Sequence, residues 1–190
     1  MDKILGNLHA VLAIGFVLAV GIMFSAFYLP NSDPESLWRG IFQWLHVFFG
    51  ITWIGLLYYF NFVQIPVMPT VPAELKPGVT KYIAPKALFF FRWGAVMTVI
   101  TGAILAWLYN ELTEALTFQK GFELIGVGMW LALIMAVNVW AVIWPNQKKA
   151  LGIVPAEDAA KANAAKVAMM ASRINTMLSI PMLLAMTNAR

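Results

Sequence analysis

Five apolar stretches, separated by prolines, glycines and charges, decide what this chain can fold into. They cover about residues 8–29, 39–64, 86–109, 122–144 and 167–187. A bilayer core takes about 20 residues of helix, and in lipid a helix satisfies its own backbone hydrogen bonds. The pattern therefore predicts an all-α fold: a polytopic membrane helix bundle with five transmembrane helices, forming one transmembrane domain over residues 1–190. Composition enters here, because 61% hydrophobic and 12% charged residues cannot be hidden by a soluble domain of this length. The first stretch is too long for the apolar core of a signal peptide and reads as a retained span.

Turn residues set the expected boundaries. Pro30-Asn31-Ser32-Asp33-Pro34 ends the first span, prolines 66, 69 and 72 stop the second, and Pro145 ends the fourth. Pro155-Ala156-Glu157-Asp158 opens a helix that leads into the fifth span. Ile174–Thr187 alone is too short to cross, so the last span begins near Val167 and carries Arg173 inside. Pro181 predicts a kink there.

Five spans place the loops alternately on two sides. One side collects Lys3, Lys76, Lys81, Lys86, Lys148, Lys149, Lys161, Lys166 and Arg173, and the other only Arg39, Lys120 and Arg190. The positive-inside rule then predicts a cytoplasmic N-terminus and an external C-terminus. The lysines read as orientation signals, not as a nucleic-acid surface. Trp38, Trp107 and Trp144 fall near span ends and read as interfacial anchors. With no cysteine, disulfides, thiolate metal sites and covalently attached c-type haem are excluded.

Candidate chemistry centres on Trp44–Gly55. At helical spacing His46, Gly50, Trp53, Leu57, Asn61 and Gln64 share one face, and a polar stripe in lipid must turn inward. His46 is either an axial ligand to haem b or a buried, hydrogen-bonded histidine. In the haem reading Gly50 lets the macrocycle approach the helix and Trp53 lines its edge. His9, the other histidine, starts the first span from the opposite side. Helix rise puts it roughly 20 Å from His46 in depth, too far for a shared iron. Arg92 and Arg173 each enter from the cytoplasmic side by about six residues, near 9 Å. They either snorkel to the headgroups or clamp a carboxylate such as a haem propionate. Asn138 sits mid-span and is expected to bridge helices. Glu123 reads as hydrated, and no buried carboxylate pair, nucleophile–base pair or phosphate-binding loop is visible.

These residues carry a resemblance. Trp44-Leu45-His46-Val47, Ile51-Thr52-Trp53-Ile54-Gly55 and Tyr58-Tyr59-Phe60 resemble the second-span signature of the N-terminal membrane domain of bacterial cytochrome-linked urate oxidases. Asn138 through Pro145-Asn146-Gln147-Lys148-Lys149 is similar to another motif of that family, and Phe91-Arg92-Trp93 and Asn175–Met186 also fit. The tryptophan–histidine motif further resembles the wider group of copper-resistance D proteins and the membrane protoporphyrinogen oxidase. The resemblance implies a bacterial cytoplasmic-membrane protein with haem b on His46 and a role in membrane electron transfer. Departures accompany it: no Cys-x-x-Cys-His, Gln43 where the family has a basic residue, Gly94 where an acidic one is expected, and Arg173 where histidine is expected. The expectation is a compact, divergent member lacking the cytochrome c domain, and the departures weaken urate oxidation as its activity; an enzyme of this kind would be a haem-linked membrane oxidoreductase. Its partners would be lipid, other subunits of an electron-transfer complex and quinone. The alternative is a non-catalytic accessory subunit of a respiratory or photosynthetic complex. A metal or small-molecule carrier is the third class.

Overall fold

The computed structural model describes residues 2–29 and 33–189. Pro30-Asn31-Ser32 of the expected first turn, the side chain of Lys3, and Arg190 lie outside the described residues. Among the described residues there are five helices long and apolar enough to cross a membrane: α1 (Leu8–Tyr28), α2 (Pro34–Val67), α3 (Lys76–Leu108), α4 (Glu123–Ala150) and α5 (Asp158–Asn188). Short helices at Asp2–Leu5 and Leu112–Leu116 complete the described secondary structure.

Start signals are local. Asn7 caps α1 by accepting from the backbone N–H groups of His9 and Ala10, and Asp33 caps α2 through Glu35 and Ser36. Pro34 follows at the first helical position, where its missing N–H costs nothing. Asn110 ends α3 in the left-handed region at φ 58°, which asparagine tolerates.

The helices run past the boundaries expected from proline. α2 continues through Pro66 to Val67, α3 begins before Pro85, and α4 continues through Pro145 to Ala150. A widened, π-type turn precedes each of these prolines: Tyr59–Gln64, Val79–Ile83 and Val139–Ile143. Proline breaks an α-helix because its ring strikes the carbonyl four residues back. A π-turn shifts the bonding to five residues and loosens that contact. At 34 and 33 residues, α2 and α3 are about 50 Å long, more than a bilayer core needs. The fifth helix starts at Asp158, where Pro155-Ala156-Glu157-Asp158 predicts a helix start, and remains α-helical through Pro181.

Packing is antiparallel between chain neighbours. His46 meets Thr98 and Gly102, Trp53 meets Gly94, and Phe60 meets Phe91, so α2 and α3 run in opposite directions. Gly128 faces Ala185 and Asn138 faces Asn175, which pairs α4 with α5. α1 leans on α2 through Phe16 against Trp44 and Phe48, and none of α1's Leu8–Met23 is buried. The shared core holds Trp53, Leu57, Phe60, Leu88, Phe91, Met135, Val139, Ile143 and Met182. The ends of α2, α3 and α4 that carry Gln64, Lys76 and Lys148 gather at one end of the bundle, called here the lysine end.

Candidate functional site: an anchored histidine and a polar layer

His46 projects from α2 onto α3. Its Nδ1 lies 2.9 Å from the carbonyl oxygen of Thr98. A carbonyl only accepts, so Nδ1 carries the proton and donates. In the neutral ring Nε2 then keeps a lone pair, and no described residue hydrogen-bonds to it. This is the arrangement that orients metal-binding imidazoles: one nitrogen pinned to a backbone carbonyl, the other free. Gly102 makes it possible. A Cβ at that position would stand 2.7 Å from His46 Cε1 and 2.9 Å from Nδ1, inside contact distance.

The stripe on α2 turns inward as its spacing predicts. Trp53 and Leu57 are fully buried, and His46, Gly50, Asn61 and Gln64 are partly buried. What they face is α3. A Cβ on Gly50 would stand 3.9 Å from Thr98 Cγ2, and Gly94 leaves a Cβ position only 3.3 Å from the Trp53 backbone nitrogen. The sides of Gly50 and Trp53 that meet α3 are thus occupied by helix packing. Trp53 Nε1 is buried with no acceptor.

The two arginines do not come together. Arg92 is buried in α3 at 9% exposure, with its guanidinium carbon 3.4 Å from the centre of the Trp144 ring and 5.9 Å from that of Trp140. Among the described residues it has no carboxylate partner; a cation on an indole face supplies the attraction instead. Arg173 lies on the exposed face of α5, away from the buried face of Ala168, Ala171, Ser172 and Asn175. Trp144 is therefore more than an interfacial anchor, while Trp38 and Trp107 are exposed as anchors should be. His9 is exposed at the start of α1. It lies seven residues from Phe16, the α1 residue level with Trp44, hence about 10 Å away along the helix, where helix rise had suggested roughly 20 Å in depth.

Asn138 bridges helices, donating to Asn175 Oδ1 at 2.7 Å and to the Ala171 carbonyl at 3.0 Å. Asn175 donates in turn to the Met135 carbonyl at 3.0 Å. Tyr58 and Ser179 share a hydrogen bond of 3.0 Å, and Asn61 donates to Ser172 at 2.8 Å. Ser172, Asn175 and Ser179 recur at three- and four-residue steps on one face of α5. That spacing was the available signal for a layer that ties α5 to both α2 and α4. Thr98 and Gly102 left no such mark, because one acts through its backbone carbonyl and the other through the side chain it lacks.

The fold and this histidine define an all-α bundle with five helices long and apolar enough to cross a membrane and, among the described residues, an oriented imidazole nitrogen without a hydrogen-bond partner. Residues 112–190, which hold the short helix Leu112–Leu116, α4 and α5, match the family model described as urate oxidase N-terminal. Asn138–Lys149 and Asn175–Met186, two segments that carry the sequence resemblance, lie inside the match; the Trp44–Gly55 stretch and Phe91-Arg92-Trp93 lie outside it. No curated protein and no solved structure matches the chain.

Proposed function

We propose that this chain is an integral protein of the bacterial cytoplasmic membrane, N-terminus inside and C-terminus outside, that binds haem b through His46 and takes part in membrane electron transfer. The observation that carries the reading is the hydrogen bond from His46 Nδ1 to the Thr98 carbonyl, which leaves Nε2 with an oriented, unshared lone pair. The chemistry of one neutral imidazole with a free Nε2 lone pair fits a residue that would hold haem iron. When bound, the haem supplies a one-electron couple; the protein's own contribution is to fix the tautomer and orientation of the ring. Arg92, held on Trp144, and Arg173, on the exposed face of α5, are not assigned to its propionates, and Asn138 is assigned to helix bridging. The test is a dithionite-reduced minus oxidised spectrum of the purified chain. A b-type signal that disappears in His46→Ala supports the reading, and its absence from the wild type refutes it.

A second reading, an accessory subunit of a larger membrane complex, is favoured by α1. That helix leaves Leu8–Met23 without a buried residue, a face that another subunit can cover as well as lipid. Copurification of a stoichiometric partner from native membranes, with no haem in the isolated chain, is the outcome that selects it.

A further inference from the structure

At the lysine end, α2, α3, α4 and α5 line an open-sided cleft of about 150 Å³. Phe60, Leu88 and Met169 form apolar walls, and Gln64, Gln147 and Ser172 supply its polar atoms. Gln64 and Gln147 stand out here: the amide oxygen of each is buried with no donor among the described residues. Neither side-chain amide hydrogen-bonds to another described residue. A buried group with an unmade hydrogen bond is destabilising, so two on the lining of one cleft call for a partner. Both oxygens are covered in this arrangement, and ligand binding requires a turn about the last side-chain torsion, which is soft, to bring the amide to the cleft.

We infer that this cleft binds the headgroup of a membrane quinol through Gln64 and Gln147. Three features select the ligand. Buried acceptors without donors require a ligand carrying O–H or N–H groups. The lining holds no charged residue, so the ligand is neutral. A space of this size is about that known to admit one benzene ring, and the site belongs to a bundle whose surroundings are lipid. A hydroquinone ring meets all three: its two hydroxyls donate to the two amide oxygens, and its ring lies against Phe60 and Met169. The inference extends the electron-transfer reading by naming the class of redox partner, but binding itself requires no haem.

The experiment is calorimetric titration of the purified full-length chain in detergent with decylubiquinol kept reduced under argon. Saturable binding of one quinol per chain is expected. Gln64→Leu and Gln147→Leu should each weaken it about fivefold, as loss of one hydrogen bond predicts. Ala165→Trp, at an exposed position on the rim of the cleft, should abolish it without disturbing the core. His46→Ala should bind quinol unchanged, which separates this site from the haem reading. Partitioning that never saturates, equal affinity in all variants, loss of binding with His46 instead of the glutamines, or displacement of the quinol by urate overturns the proposal.

Discussion

Replacing Gly102 by alanine tests the geometry around His46 most finely. The added methyl would stand 2.7 Å from Cε1 and 2.9 Å from Nδ1 of the imidazole. Neither backbone can yield, since α2 and α3 are in contact at Gly50 and Gly94 as well, so the ring must turn away. Turning breaks the 2.9 Å bond to Thr98. A hydrogen bond within a membrane bundle averages about 0.6 kcal/mol and reaches about 1.7, and forcing a side chain off its rotamer adds about 0.5–1.5 kcal/mol. The expected loss is about 1–3 kcal/mol. It should vanish when the ring is absent: in a His46→Ala background the same glycine substitution meets only a methyl group. The assay is a double-mutant cycle by unfolding in mixed micelles. A coupling energy of about 1 kcal/mol or more is predicted. A Gly102→Ala chain as stable as wild type, or one equally destabilised in both backgrounds, would refute the proposed seating of the ring.

Other outcomes follow from the same contacts. Asn175→Leu removes bonds to both Asn138 and the Met135 carbonyl and should cost about 1–3 kcal/mol in micellar unfolding, whereas Asn146→Leu, bonded only within its own helix, should cost less than about 1 kcal/mol. Arg92→Gln loses the stacking on Trp144 and should lower stability by about 0.5–2 kcal/mol; Arg173→Gln, on the exposed face, should change it by no more than about 0.5 kcal/mol. Pro145→Ala should be nearly neutral because the π-turn before it already relieves the ring, while Ala132→Pro, in the regular part of α4, should cost about 3 kcal/mol or more and be seen as loss of folded yield.

Hydropathy alone located all five helices that are long and apolar enough to cross a membrane, because lipid imposes a length and an apolar composition that few other constraints imitate. It misplaced their ends. Proline reads as a terminator only when the preceding turn is α-helical, and a π-turn at Tyr59–Gln64 or Val139–Ile143 has no signature in residue type. The inward face of α2 was legible, since His46, Trp53, Leu57 and Asn61 repeat at helical steps. Its surroundings were not. Thr98 contributes a backbone oxygen and Gly102 an absence, and neither is visible in a pattern of side chains. The two arginines, alike in depth along their helices, invited a shared role. Facing direction separates them: Arg92 falls on the buried face of α3 beside Leu88 and Ala95, and Arg173 falls one residue past Ser172 on the exposed face of α5. The stacking of Arg92 on Trp144 joins residues from two helices, a relation that no local spacing encodes.

The central claim is that Nε2 of His46 ligates haem b. The most direct measurement is the haem-to-protein ratio, by pyridine haemochrome, of wild type and His46→Ala purified side by side and checked for monodispersity. The account predicts about one haem b per wild-type chain and none in the variant. A folded wild type without haem, or a His46→Ala chain that keeps it, would contradict the account.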